Sequence, residues 1–295
     1  MPLTNMLVLG FDDYEDQGRR LAKALSSPFE KVDLHHFPDG ESKVLLPPEL
    51  PEQLIICRSL NSPNSKLIEL LLTAETAREN GAKQITLVAP YLCYMRQDKA
   101  FQPGEAVSQK IIGRLLADHF DGLITTDAHL HRISRLAQAI PDIRAINTSA
   151  SSLMSEFLRH QANNILLVGP DDESAQWVEA IANSAGYQCI VAQKQRFGDR
   201  HVEITLPQGN YTGKRIVLVD DVISTGHTLI TIAGLLHKQG VASIDALVTH
   251  ALFDETATKQ MQKAGIGTIW STDSISHVSN TLHLDQLLAN AILES

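Results

Sequence analysis

A chain of 295 residues, 43% apolar and 20% charged, has the composition of a globular protein long enough for two hydrophobic cores. A net charge of −9 argues against nucleic acid or an anionic membrane as main partner, so any phosphate ligand must be drawn by local cations, metal and backbone dipoles. Three scattered cysteines, Cys57, Cys93 and Cys189, make neither a disulfide framework nor a metal knuckle. No basic leader precedes Asp12, and no apolar run approaches the roughly 18 residues of a membrane span. The expectation is a reduced, soluble, cytoplasmic protein.

In chain order, short apolar runs predict buried strands over 6–9, 54–57, 85–89, 123–126, 165–168, 216–219 and 246–249. Amphipathic stretches between them predict helices over 17–25, 67–80, 108–119, 175–185 and 228–238. This alternation specifies an α/β protein with mainly parallel sheets flanked by helices, whose ligands sit at the carboxyl ends of the strands. The chain also reads as duplicated. Asn5, Leu7, Gly10, Asp12, Asp13 and Gln17 recur as Asn164, Leu166, Gly169, Asp171, Asp172 and Gln176. On the same pattern 87–90 is expected to match 217–220, and 123–129 to match 247–253. Two similar domains follow, 1–148 and 149–295.

Several turns carry chemistry. Phe37-Pro38-Asp39-Gly40-Glu41 is a turn with an aromatic lead and two acids, which alone suits a hairpin. The polar run after strand 85–89 holds Arg96, Gln97, Asp98 and Lys99, with Pro103-Gly104-Glu105 beyond; a guanidinium there can stack or fork a phosphate. Asp127-Ala128-His129 closes the next strand, where a histidine can ligate a divalent ion or donate to phosphate. His35, His36 and His131 have no such partner spacing. Asp171 and Asp172, at the end of strand 165–168, offer hard oxygens suited to Mg²⁺, although one Asp suffices as a helix N-cap. Lys194 and Arg196 alternate along an extended segment, so both face one side and could offset charge on a transferred group; a solvated hairpin edge is the ordinary alternative.

The most informative stretch is the apolar strand 216–219, the acids Asp220 and Asp221, the turn Ser224-Thr225-Gly226-His227-Thr228, and a helix. A polar turn at a helix start presents unpaired amides and the positive dipole end, an anion site. No Lys follows the glycine, so it is not a Walker loop. Phosphate at one end and acids at the other call for a ligand with a phosphate at one end and hydroxyls or a metal at the other, such as ribose 5-phosphate.

This stretch resembles the phosphoribosyl-pyrophosphate (PRPP) loop of type I phosphoribosyltransferases and ribose-phosphate pyrophosphokinases. The F-x-D-G-E turn, the R-Q-D-K-x-F-x-P-G-E run, D-x-H at 127–129, P-D at 170–171 and K-x-R at 194–196 resemble, in order, the other motifs of the kinases, particularly their archaeal-type branch. The resemblance implies two domains of the type I phosphoribosyltransferase fold and pyrophosphoryl transfer from ATP to ribose 5-phosphate, giving PRPP and AMP for nucleotide biosynthesis. It further implies ATP binding by Phe37, Asp39, Glu41, Arg96, Gln97 and Asp98, and Mg²⁺ linked to His129 and Asp171. Lys194 and Arg196 would be catalytic, and Asp220, Asp221, Ser224, Thr225, Gly226, His227 and Thr228 would hold the sugar phosphate. A homo-oligomer is implied, with the Phe37 turn reaching a neighbour's site. Two departures bear on specificity. Glu173 and Ser174 replace a glycine-rich continuation, and His227 stands where a small residue is usual, close to the expected 5-phosphate. The alternatives are a nucleobase phosphoribosyltransferase, which needs only one such domain, and a non-catalytic regulatory paralogue.

Overall fold

The computed structural model describes residues 5–130, 132–161, 164–197 and 201–294, with backbone alone for 194–197 and 201–203. Its chain divides into two compact units: Met1–Thr148 with Ser274–Ser276 and Leu284–Ser295, and Ser149–Asp273 with His277–His283.

In the first unit, β1 (Met6–Gly10) leads to α1 (Glu15–Ala24), β2 (Phe29–Lys31) and an antiparallel hairpin, β3 (Asp33–His36) and β4 (Ser42–Leu45). Then come β5 (Gln53–Cys57), α2 (Pro63–Glu79), β6 (Gln84–Val88), α3 (Ser108–Ala117), β7 (Gly122–Thr126) and β8 (Arg144–Thr148). Six strands form one parallel sheet in the order β2-β1-β5-β6-β7-β8. The middle strands are near-continuous Val, Ile and Leu runs because helices cover such a sheet on both faces. In α2, Leu67, Leu70, Ala74 and Ala77 recur at helical spacing and are buried in the core with Leu9, Ile56 and Leu87.

The second unit opens with α4 (Ser151–Arg159), β9 (Ile165–Gly169), α5 (Ala175–Ala185) and β10 (Gln188–Val191), followed by the antiparallel pair β11 (Gln193–Phe197) and β12 (His201–Thr205). It continues through β13 (Arg215–Ile223), α6 (His227–Lys238), β14 (Ser243–Ala251), α7 (Glu255–Lys263), β15 (Ile269–Thr272) and β16 (Asn280–Leu282). Its parallel sheet runs β10-β9-β13-β14-β15-β16. The duplication is therefore structural, strand for strand, down to the antiparallel pair after the second sheet strand.

The register of the repeat differs from the sequence expectation. β13 occupies the place of β5, not of the strand at 87–90, and β14 that of β6, not of 123–129. Neighbouring βα units have similar apolar runs, so a shift by one unit costs few identities. In each sheet the chain first moves to one side of the opening strand (β2, β10) and then returns on the other (β5, β13). Ligands of open α/β sheets bind at such a reversal, outside the carboxyl ends of the strands. The equivalent crevices are thus β1/β5 and β9/β13.

Two further expectations are corrected. The strand predicted over 216–219 continues through both acids to Ile223, because β14 stays paired beside it as far as Ile223↔Ala251. The second domain does not run unbroken to residue 295: α8 (Asp285–Leu293) belongs to the first unit, packing on α1, β7 and β8. Its Leu284, Leu288 and Ile292 are buried there, and Arg144 donates to the Glu294 carbonyl at 2.8 Å. Among the described residues no helix is long and apolar enough to cross a membrane.

Truncation after His283 removes three large buried side chains and should destabilise the first unit by about 5 kcal/mol or more. Hydrogen exchange read by mass spectrometry should show β1 and β7 losing protection while β9 and β13 keep theirs; equal loss in both would contradict this assignment of α8.

Candidate functional site

In the second unit β13 pairs with β9 only from Arg215↔Ile165 to Leu218↔Val168, whereas it pairs with β14 to its end. Asp220 and Asp221 therefore lie on the part of β13 that has outrun β9, beside the turn that follows β9. Asp171 sits in that turn and caps the short 3-10 helix after it. Its carboxylate accepts from the Ser174 amide at 3.3 Å, and the Ser174 hydroxyl lies 3.3 Å from the Asp171 amide. The capping role considered from the sequence is thus real, and it also holds Asp171 at the crevice.

Charge is the crevice's main property. Burial pushes the Asp220 carboxyl well above its usual range, and the negative charges of Asp221 and Asp171 push it further. Asp221 is only 3% exposed. The Asp221 amide donates to Asp220 at 3.0 Å, which offsets part of this. Three hard carboxylates crowded together suit a divalent cation or a set of hydroxyl donors. Among the described residues no group of three or more His, Cys, Asp and Glu is arranged as a metal cage. Mg²⁺ is usually held by one or two carboxylates, with waters and substrate phosphates completing its shell. The donor chemistry of Asp171 and Asp220 fits that mode.

The turn after β13 puts Gly226 in the left-handed region (φ 70°) as N-cap of α6. A Cβ there would fall 2.6 Å from Met261 Sδ, so both conformation and space require glycine. Ser224, Thr225 and His227 are exposed and Thr228 half-buried around the helix start, whose first amides have no intrahelical partner; the His227 amide lies 3.5 Å from Thr225 Oγ1. Lys194 and Arg196 stand two positions apart on β11, opposite Ile204 and Val202 of β12. Their side chains lie outside the described residues, as does His131.

The first unit carries the other predicted segments. The β3–β4 hairpin ends in the pair His36↔Ser42, and the turn beyond is closed by Phe37 amide to Glu41 carbonyl at 2.8 Å. Phe37 is 42% exposed, with the His35 ring edge-on at 4.8 Å. The Asp39 carboxylate accepts from the Glu41 amide at 3.1 Å. After β6, Glu105 organises the polar loop by accepting from Gln97 at 2.8 Å and from the amides of Phe101 and Gln102 at 2.5 and 3.0 Å. Arg96 is left exposed. Asp98 differs from a surface nucleotide contact: its side chain is 2% exposed and accepts from Arg132 at 2.5 Å, with its second oxygen buried and without a partner among the described residues. That pair ties the Arg96 loop to the loop after β7 carrying half-buried His129.

The crevice between β1 and β5 is filled by ions. Arg58 donates to Asp13 at 3.0 Å and to Glu69 at 2.6 Å, and Lys66 reaches Asp13 at 2.6 Å, the Ser59 carbonyl at 2.9 Å and Asn61 at 2.8 Å. Sequence reading missed this cluster. Its only signal was Arg58 and a lone acid, Glu69, in an apolar helical run.

A raised Asp220 pKa means that the folded chain gains stability from its proton below the unfolded pKa near 4, and loses that gain as pH rises through the folded value. Asp220→Asn should therefore raise the melting midpoint by about 2–4 °C at pH 7 without ligand. The difference should shrink toward pH 4. A midpoint at or below wild type at pH 7, by calorimetry, would contradict the crowding.

Comparison with known proteins agrees with this geometry. Residues 6–119 match the model of the N-terminal domain of ribose phosphate pyrophosphokinase, and residues 137–280 that of the phosphoribosyl transferase domain. The ribose-phosphate pyrophosphokinase of Methanopyrus kandleri is 32% identical over 290 residues, covering 97% of this chain and 98% of the relative. That of Thermococcus kodakarensis is 30% identical over 260 residues, covering 88% and 90%. The crystal structure of phosphoribosylpyrophosphate synthetase from Mycobacterium smegmatis superposes with a TM-score of 0.85 over 98% of both chains at 22% identity, sharing the fold. With its duplicated sheets, acid-lined crevice and full-length likeness to these relatives, the chain belongs to the ribose-phosphate pyrophosphokinase family.

Proposed function

We propose that the protein transfers the β,γ-pyrophosphoryl group of ATP to the anomeric oxygen of ribose 5-phosphate, producing PRPP and AMP. The carrying observation is the β9/β13 crevice, where carboxylates meet a glycine-capped helix start. Asp220 and Asp221 accept from the sugar hydroxyls, and the turn from Ser224 to Thr228 takes the 5-phosphate on main-chain amides, hydroxyls and the His227 side chain.

Phe37 and Arg96 sandwich adenine, and Asp39, Glu41 and Gln97 contact the nucleotide. Asp98 shapes the Arg96 loop from within, through Arg132. His129 and Asp171 would each offer a ligand to Mg²⁺, which would neutralise phosphate charge. Lys194 and Arg196 stabilise negative charge developing on the transferred group. Positioning and charge neutralisation supply most of the acceleration in such transfers. A homo-oligomer in which the Phe37 turn serves a neighbouring copy's site is part of the same proposal. A nucleobase phosphoribosyltransferase would not need the N-terminal domain that residues 6–119 match.

With ATP, ribose 5-phosphate and Mg²⁺ supplied, chromatography should show AMP accumulating in step with PRPP; ADP as product, or no reaction, would refute the assignment. Lys194→Ala should retain ATP binding and fold while losing about a hundredfold or more in turnover.

A further inference from the structure

The β3–β4 hairpin has little apolar burial of its own. Most of its residues are exposed, and only Leu34 and Val44 pack as half-buried residues on the core. Its far end is held instead by one carboxylate. Glu69, on α2, is 1% exposed; its Oε1 accepts from Ser42 Oγ at 3.0 Å and lies 2.7 Å from His36 Nε2. His36 and Ser42 are opposite each other, the last pair before the turn bearing Phe37, Asp39 and Glu41. One acid thus grips both strands at the root of that turn.

The grip needs an ionised Glu69, because a neutral acid holds such donors less strongly. Burial pushes its carboxyl upward, but the bonds from His36, Arg58 and Ser42 outweigh this and the net shift is downward. Arg58 is the fixed countercharge, 2.6 Å from Oε2, itself oriented by Asp13 and lying 4.1 Å from the Phe11 ring centroid. The residue following β5, at the crevice equivalent to that of the second unit, is thereby spent on the hairpin.

We propose that Glu69 is a positioning residue for nucleotide binding, acting through His36 and Ser42 to fix the turn that presents Phe37, Asp39 and Glu41. This rests on the assignment of that turn to adenine. His36 is exposed and leaves the core untouched when truncated, so His36→Ala with Ser42→Ala tests the grip in the full-length chain without removing Glu69. Two bonds are lost, so the KM for ATP should rise about tenfold while kcat and the KM for ribose 5-phosphate stay within about twofold. His36→Gln, which keeps a donor, should recover most of the affinity.

Hydrogen exchange reads the same device without activity: the amides of Phe37 and Gly40, bonded within the turn, should exchange faster in the double variant. Unchanged exchange, or an equal rise in both Michaelis constants, would overturn the positioning role while leaving the proposed reaction intact. A wild-type chain that makes no AMP would overturn the nucleotide assignment itself, even where exchange at the turn responds.

Discussion

Like charges crowded at a sheet crevice set the logic of this molecule. Asp171, Asp220 and Asp221 meet where β9 and β13 diverge, and burial, reinforced by the charges of Asp221 and Asp171, holds Asp220 well above the usual carboxylate range. A fold that keeps such an arrangement gives up stability that a neutral side chain would restore, and strongly perturbed groups of this kind concentrate at functional sites. The first unit builds the same crevice between β1 and β5 and resolves it in the opposite sense. There Arg58 and Lys66 enter from within the chain and pair with Asp13 and Glu69. One duplicated framework therefore gives one crevice with crowded acids and one already neutralised.

That difference divides the labour of the two units. The second presents its acids beside a helix start whose amides have no intrahelical partner, with Gly226 making the turn sterically feasible. The first carries two exposed structures, the Phe37 hairpin, anchored to the neutralised crevice through Glu69, and the Arg96 loop. Both are braced by buried acids, Glu69 in one and Asp98 in the other, each paired with an arginine. Glu69 and Arg58 are both buried, so removing either partner is costly, whereas Arg132 is half exposed and its pair with Asp98 is weaker.

Much of this was legible in the residues. The helix expected over 175–185 and the central strands are where the apolar pattern places them, since buried parallel strands and amphipathic helices leave strong periodic signals. β2, β10 and β16 escaped because short strands at or near a sheet edge carry mixed polarity. α8 could not be assigned to the first unit from sequence, since a helix's apolar face does not name the core it enters. The strand through Asp220 and Asp221 looked finished at Val219 because acids usually end a strand; a paired neighbour, β14, overrode that preference. The Glu69 cluster was invisible for a related reason: its members are 13, 36, 42, 58, 66 and 69 in sequence, and only packing joins them.

The proposed reaction requires the crevice of the second unit to take the sugar phosphate and its neutralised counterpart to refuse it. Isothermal titration of the full-length chain with ribose 5-phosphate and Mg²⁺ measures this directly. Heat fitting one molecule per chain, absent when Asp221 is replaced by Ala, is the predicted result. Two molecules per chain, or binding that survives Asp221→Ala unchanged, would refute that asymmetry.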